Sequence, residues 1–268
     1  MRREGRHGGW RLAALLLGAS ACGGDAPPVL RLVATHAGYE VPDAVRAGVV
    51  RVRLVNRDTV MHEASLARLL RPDATLADYL RLVASGDEFP DFARDVGGAT
   101  LAAPGDSVEA LVRLRPGRHV VASWYKDDVL RGHAAQFSAT GDSTAARPAA
   151  TGTVTLSDFA ISMPTPARGR ALLQVVNRGR ETHEFTVVRL AEGRHAADYH
   201  AWRLAGDTGT APGRPVAGVA ALPPGGEAWA PVSWAPGRYV VSCAVDAVGE
   251  RLGARHFAMG MWREFEVR

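Results

Sequence analysis

Residues 173–184 read LQVVNRGRETHE, and residues 52–63 read VRLVNRDTVMHE. Both stretches carry an apolar run, an Asn-Arg pair and a His-Glu pair at the same spacing. Further matches recur at a separation of 120 residues, such as Ala77-Asp78-Tyr79 with Ala197-Asp198-Tyr199, and Pro116-Gly117-Arg118 with Pro236-Gly237-Arg238. A separation that stays nearly constant over several matches indicates one module present in two tandem copies.

Each copy has the pattern of a β-sandwich. Apolar residues alternate with arginines from Val49 to Asn56, which is the period of a half-buried strand. Helical spacing is confined to two short segments, Asp73–Ala84 and His195–Ala205. Short strands with Pro-Gly turns between them are typical of Greek-key sandwiches. We therefore predict an all-β fold of two tandem Greek-key β-sandwich domains, each with a short helical insertion.

The repeat also places the domain boundaries. The first domain is predicted to span residues 29–140 and the second residues 151–268. Between them lies a stretch of small residues, 141–150, which is predicted to be the linker.

The N-terminal segment reads as a targeting signal. Arginines precede a short apolar run, Leu12–Gly18, that is too short to span a bilayer. Ala19-Ser20-Ala21-Cys22 follows and resembles the bacterial lipoprotein box, with Ala19 at the position where leucine is commoner. The resemblance implies that the signal peptide, residues 1–21, is removed and that lipidated Cys22 starts a tether, residues 22–28. The alternative is an ordinary secretory signal cut before an unmodified Cys22.

These features predict a protein of the cell envelope, anchored by its lipid on the periplasmic side or in the outer membrane. Removal of residues 1–21 takes away four of the 32 basic and one of the 28 acidic residues, which leaves a net charge of +1. Such a balance gives no basic footprint for nucleic acid. The predicted partners are the membrane, through the lipid anchor, and a redox protein.

The number of cysteines makes the role of Cys243 the central question of the sequence. The chain has two cysteines, and the lipid accounts for Cys22. Cys243 is then unpaired in an exported protein, where free thiols are unusual. It is either a buried, inert residue or a metal ligand.

His183, Cys243, His256 and Met261 follow one another in an order that resembles the cupredoxin family, the blue copper proteins. The resemblance implies copper as the cofactor, with His183, Cys243 and His256 as equatorial ligands and Met261 as the axial one. Met259 is a second candidate for the axial position. One departure is the gap of twelve residues between Cys243 and His256, where the family has only a few.

The first copy lacks the thiolate. Ser123 stands at the position of Cys243, while His62 and His133 align with His183 and His256. Gln136 and the residues after it replace the methionines. No blue centre is expected here. The two histidines form either a weak metal site, with neighbouring Met61 as a further candidate ligand, or, as we expect, a vestigial site.

Two functions remain open from the sequence. The first is an envelope lipoprotein that binds copper in its second domain and carries electrons. The alternative is a metal-free sandwich with a structural or partner-binding role. Phosphate loops, nucleophile elbows and paired His-x-His patterns are lacking in the sequence, so we expect a protein that is not an enzyme.

Overall fold

The computed structural model describes residues 26–86, 91–142, 146–248 and 253–268. The predicted signal peptide and Cys22 lie outside these residues, as does the start of the tether. Their assignment stays a prediction.

Most of the described chain is β-strand. The first copy contains β1 (Val29–Thr35), β2 (Gly38–Glu40), β3 (Ala44–Arg46), β4 (Gly48–Asn56), β5 (His62–Leu69), β6 (Ala93–Ala102), β7 (Ser107–Leu114), β8 (Gly117–Ala122) and β9 (Ala134–Thr140). The second contains β10 (Gly152–Ser157), β11 (Ala160–Ser162), β12 (Gly169–Asn177), β13 (His183–Leu190), β14 (Gly213–Leu222), β15 (Glu227–Trp234), β16 (Gly237–Ser242) and β17 (Trp262–Val267). The all-β prediction is confirmed.

The strands form two sheets that pack on one core. One sheet has eight strands in the order β11-β10-β12-β15-β7-β4-β1-β2. The other has nine, in the order β17-β16-β13-β14-β6-β5-β8-β9-β3. Alternate residues of each strand enter the core, as the period of β4 predicts: Val50, Val52 and Leu54 are fully buried. The sandwich of the prediction is therefore present in both copies.

Both sheets run through both copies. In one sheet β15 pairs with β7, with Trp229 opposite Leu111, and in the other β14 pairs with β6, with Val219 opposite Ala99. The hydroxyl oxygens of Thr100 and Thr186 also meet across this boundary, 2.6 Å apart and buried. Main-chain hydrogen bonds thus join the two copies; the exact limits predicted for each domain stay a prediction.

Two short helices sit at equivalent places in the copies. They are α1 (Leu76–Ala84) and α2 (Ala196–Leu204). Helix α1 begins three residues after its predicted start and α2 one residue after its own. Asp78 and Asp198 accept the main-chain N–H of Thr75 and His195 at 3.0 and 2.8 Å. The recurring aspartates therefore cap helices. Among the described residues no helix is long and apolar enough to cross a bilayer.

Candidate metal centre

The loop before His183 is held by an asparagine at the end of β12. The amide nitrogen of Asn177 donates to the carbonyls of Glu181 and Leu222, each at 2.8 Å, and its oxygen accepts the N–H of Gly179 at 2.8 Å. Asn56 makes the same kind of contacts in the first copy, to Val60 at 2.7 Å. These contacts fix where β13 begins, and His183 is its first residue.

Cys243 and His256 are brought together by the chain around a short 3-10 helix, His256–Met259. The amide of Cys243 donates to the carbonyl of Met261 at 3.1 Å, and that of Met261 to the carbonyl of His256 at 3.0 Å. The amide of Phe257 closes the turn onto the carbonyl of Cys243 at 2.8 Å. The last three predicted ligands therefore share one hydrogen-bonded turn.

The long interval between Cys243 and His256 folds as an excursion that closes at its base. Asp246 and Arg255 form a β-bridge, and their side chains pair with 3.0 Å between Arg255 Nε and Asp246 Oδ1. The amide of Ala247 donates to the carbonyl of Ala254 at 2.9 Å. The described ends of this interval, residues 244–248 and 253–255, therefore lie beside each other, so the longer gap does not separate the ligands.

Three of the predicted ligands converge. His183 Nδ1 lies 3.1 Å from His256 Nδ1, and Cys243 Sγ lies 3.3 Å from the same atom. The ligand atoms of the three residues all lie within 4.8 Å of one another. All three side chains are fully buried. The structure thus brings a thiol and two imidazoles together in the interior of the second copy, away from solvent.

Carboxylates hold the outer nitrogen of each imidazole. His183 Nε2 lies 3.1 Å from Asp158 Oδ1, and His256 Nε2 lies 3.0 Å from Glu181 Oε2. An Nε2–H that donates to a carboxylate leaves Nδ1 with its lone pair directed inward. The sequence analysis missed Asp158 and Glu181, because Asp158 lies 25 residues before the histidine that it contacts.

The surroundings of His183 favour a neutral imidazole, and those of Asp158 favour an ionised carboxylate. Burial opposes ionisation of Asp158, but the main-chain amides of Arg180 and Glu181 lower the pKa of its carboxyl below the ordinary value. Burial lowers the pKa of His183, against the pull of Asp158. The imidazole is therefore neutral near pH 7, as a metal ligand must be.

The thiol is fully buried and accepts hydrogen bonds from the main-chain amides of Glu184 and Val245. Burial raises the pKa of Cys243 well above its ordinary value. The amide of Glu184 donates to Sγ at 3.3 Å, and the Glu184 carboxylate accepts the amide of Ala244 at 2.7 Å. Glu184 thus contacts the thiol through its main-chain amide and the residue after Cys243 through its side chain. A cation is needed to hold the thiolate form here, and binding of that cation releases a proton.

Met261 completes the predicted set. Its side chain is fully buried, whereas that of Met259 is half-buried. A thiolate, two imidazoles and a weak thioether are the donors that suit copper in both oxidation states. The residues present therefore fit copper. Met261 remains the predicted axial ligand.

The other histidines differ in part from expectation. His36, His119, His195 and His200 show no ligand spacing in the sequence, which predicts that they are surface or strand residues. That is wrong for His200, which lies in α2 and is buried, stacked on Phe257 with ring centres 4.6 Å apart. Burial lowers its pKa to about 4. The helix packs onto the ligand turn through this pair, and no local spacing shows it.

The first copy places its own residues at the equivalent position. Ser123 is fully buried, and its hydroxyl accepts the amide of Glu63 at 3.4 Å, as Cys243 accepts that of Glu184. Gln136 does not approach this position as a methionine substitute; its side-chain oxygen accepts the amide of Leu76 at the start of α1, at 3.0 Å. The absence of a thiolate here is as predicted.

Comparisons with known proteins agree with this architecture. No family model and no curated protein sequence matches the chain. Among solved structures, auracyanin from the photosynthetic bacterium Roseiflexus castenholzii is similar, with 21% identity, coverage of 43% of this chain and 94% of its own, and a TM-score of 0.31. A multicopper oxidase from Pseudomonas thermotolerans covers 92% of this chain and 69% of its own at 15% identity and a TM-score of 0.29. A copper-containing nitrite reductase from Thermus scotoductus covers 91% and 62% at 12% identity and a TM-score of 0.25.

Two tandem copies in a two-sheet sandwich, with a thiol and two imidazoles together in the second, form the cupredoxin-like fold that the sequence predicts. Copper is the cofactor that this donor set fits.

The expectation of a protein that is not an enzyme is wrong. Solved structures similar to most of this chain carry the names of oxidases and a nitrite reductase. We drew that expectation from missing motifs, and missing His-x-His patterns do not exclude catalysis in a protein of this fold.

Proposed function

We propose that the protein is an envelope lipoprotein that binds copper in its second cupredoxin-like copy and carries electrons to or from a redox partner. The observation that carries this proposal is the convergence of Cys243 Sγ and the two histidine Nδ1 atoms within 4.8 Å. A buried thiolate next to two imidazoles stabilises both Cu(I) and Cu(II).

The chain's own residues favour rapid electron transfer. Carboxylates fix both imidazole rings, and main-chain hydrogen bonds fix the turn that carries Cys243, His256 and Met261. Ligands that are held in place before the metal binds move little when its charge changes, so little reorganisation accompanies the transfer of an electron. Burial also excludes water from the centre.

Copper titration of the purified protein tests the copper part. We expect the intense visible absorption of a copper–thiolate bond to saturate at one Cu(II) per chain, and we expect Cys243→Ser to abolish that absorption. The matched control is His36→Gln, because His36 is exposed and remote from Cys243 in the fold. Natively expressed protein without copper, and without thiolate absorption after titration, contradicts the proposal and favours a metal-free role.

Reversible reduction tests the electron-carrier part separately. We expect the copper-loaded protein to cycle between Cu(I) and Cu(II) with one electron and without a change in its far-UV circular dichroism. Tight copper binding without reversible reduction leaves a copper protein but contradicts electron transport.

The proposed anchor rests on Cys22. Six residues, 23–28, separate it from β1, which is enough chain to hold the sandwich next to a membrane surface. In a bacterial host we expect the full chain to sediment with membranes and Cys22→Ser to appear in the soluble periplasmic fraction. Equal membrane association of both proteins contradicts lipidation.

A further inference from the structure

The first copy holds a polar cluster where the second has its copper-type centre. Asp58, His62 and His133 offer ligand atoms that all lie within 4.8 Å of one another. His62 Nε2 lies 3.0 Å from Asp58 Oδ2, and His133 Nε2 lies 3.9 Å from the same oxygen. On the other side of the ring, His62 Nδ1 lies 3.0 Å from Asp128 Oδ2. We propose that this cluster is a second metal site, which binds a divalent transition-metal cation without a thiolate.

The cluster is buried to the degree expected of a ligand set. The exposed fractions are 0% for His62, 5% for Asp128, 7% for His133 and 8% for Asp58. Two buried carboxylates destabilise a fold unless positive charge compensates them. Arg131 pairs with one oxygen of Asp128, but no Arg or Lys ion pair to Asp58 is found in the described part of the chain.

Hydrogen bonding within the cluster is incomplete. A neutral imidazole donates one hydrogen, so His62, with a carboxylate oxygen 3.0 Å from each of its two nitrogens, satisfies both only when it carries a second proton, whose place a cation can take. His133 Nδ1 is buried and has no hydrogen-bond partner among the described residues, while its Nε2 lies 3.0 Å from the carbonyl of Thr35. A cation among these atoms accepts the lone pairs that the protein leaves without a donor.

Comparison of the copies argues against simple decay of an old copper site. Asp58 aligns with Gly179, and a Cβ on Gly179 would collide with Asp158 and with His183 Nε2. The second copy therefore leaves that space to a carboxylate from another strand, whereas the first fills it from its own loop. The first copy also adds Asp128, whose carboxylate accepts the hydroxyl of Ser123 at 3.3 Å. Loss of a thiolate alone requires neither aspartate.

The donor types define which cation fits. Imidazole and carboxylate suit Zn²⁺, Fe²⁺, Mn²⁺ or Cu²⁺, and they do not select Cu(I) as a thiolate does. The site has a route for ions, because Asp58, Asp128 and His133 also line a cavity of about 1300 Å³ between the copies, to which Trp202 and Arg214 contribute. A cation here is thus accessible from solvent, unlike one at the fully buried centre of the second copy.

Cobalt(II) and zinc(II) provide the test in the full chain. The background is Cys243→Ser combined with His256→Gln, which removes the second-copy centre, so the result does not depend on the proposed copper function. We expect one Co²⁺ per chain with the visible bands of nitrogen and oxygen ligands and no thiolate charge-transfer band. We also expect one Zn²⁺ per chain to displace it and to raise the melting temperature.

Variants of the ligands locate the binding. Asp58→Asn and Asp128→Asn keep the size of the side chains and should each weaken Zn²⁺ binding at least 10-fold, with loss of the zinc-induced rise in melting temperature. Asp43→Asn, which changes an exposed aspartate outside this cavity, is the matched control and should bind as the background does. Circular dichroism of the metal-free variants checks that they fold. Absence of stoichiometric Co²⁺ or Zn²⁺ binding, or binding unchanged in both folded aspartate variants, overturns the proposal.

Discussion

His183 and His256 face each other through their Nδ1 atoms, 3.1 Å apart, and each ring turns its Nε2 toward a carboxylate. Lone pairs on two nitrogens and a neighbouring sulfur repel one another unless a proton or a cation lies between them. The carboxylates of Asp158 and Glu181 therefore determine the metal affinity, since they choose the tautomer that creates this arrangement.

The first prediction concerns this outer pair. Asp158→Asn and Glu181→Gln remove the negative charge, and the amide NH₂ group can then donate to Nε2, which favours the tautomer with the proton on Nδ1. Each variant should therefore weaken copper binding by roughly 10- to 100-fold. Competition with a copper chelator of known affinity measures the effect. Glu192→Gln, which changes an exposed glutamate, is the control and should bind normally. Equal affinities for all four proteins would show that the tautomer is set by other contacts.

The second prediction concerns Gly179. Its missing Cβ leaves the space that Asp158 Oδ1 and His183 Nε2 occupy. Gly179→Ala should displace both, weaken copper binding and alter the visible spectrum, and lower stability by about 1–3 kcal/mol. Asp158→Ala frees part of that space, so Gly179→Ala should cost less in that background. A double-mutant cycle measures the difference; additive effects would contradict the steric explanation.

Local patterns were enough to predict the two helices and some of the strands, such as β4. The alternation of apolar and basic residues in Val49–Asn56 specifies a strand, and a Pro-Gly pair specifies a turn. Each of these signals involves only residues that are close together in the sequence. The order of His183, Cys243 and His256 likewise predicted three residues that meet: His183 begins β13, Cys243 follows the neighbouring strand β16, and His256 begins the short 3-10 helix before β17.

Other features depend on contacts that no local pattern records. Pairing of Trp229 with Leu111 joins strands from different copies, and nothing in either strand specifies its neighbour. Asp158 lies in the turn between β10 and β11 and contacts His183 from there. The sequence does contain one signal of this contact: Gly179 stands in the second copy where the first has Asp58, in stretches that otherwise match. The difference indicates that His183 and His62 contact carboxylates from different parts of the chain.

The third prediction is a pH dependence of stability at the boundary between the copies. Asp95 lines a cavity that Glu63, Glu184 and Arg203 also line, and burial raises its pKa to about 7. The folded state thus keeps this proton up to about pH 7, whereas the unfolded chain loses it near pH 4. Stability should therefore fall as the pH rises from about 4 to 7 through this group, and change no further above it.

Asp95→Asn removes this contribution. The variant should be more stable than the parent at pH 8 by about 2 kcal/mol, a value reduced from the full shift because the side chain is only half-buried. It should lose that advantage near pH 4. Urea unfolding at both pH values measures the difference, with the exposed Asp43→Asn as control. An advantage that is the same at pH 4 and pH 8 would exclude titration of Asp95 as its cause.

The fourth prediction concerns the hydrogen bond that links the two copies inside the core. Thr100 and Thr186 place their hydroxyl oxygens 2.6 Å apart, and both side chains are buried. Replacing one by valine keeps the shape but leaves the other hydroxyl without this partner, which should cost about 1–3 kcal/mol. Replacing both removes the polar pair altogether, so the double variant should be more stable than the sum of the single effects predicts. Thermal unfolding of the four proteins gives the coupling energy, and simple additivity would show that each hydroxyl is satisfied elsewhere.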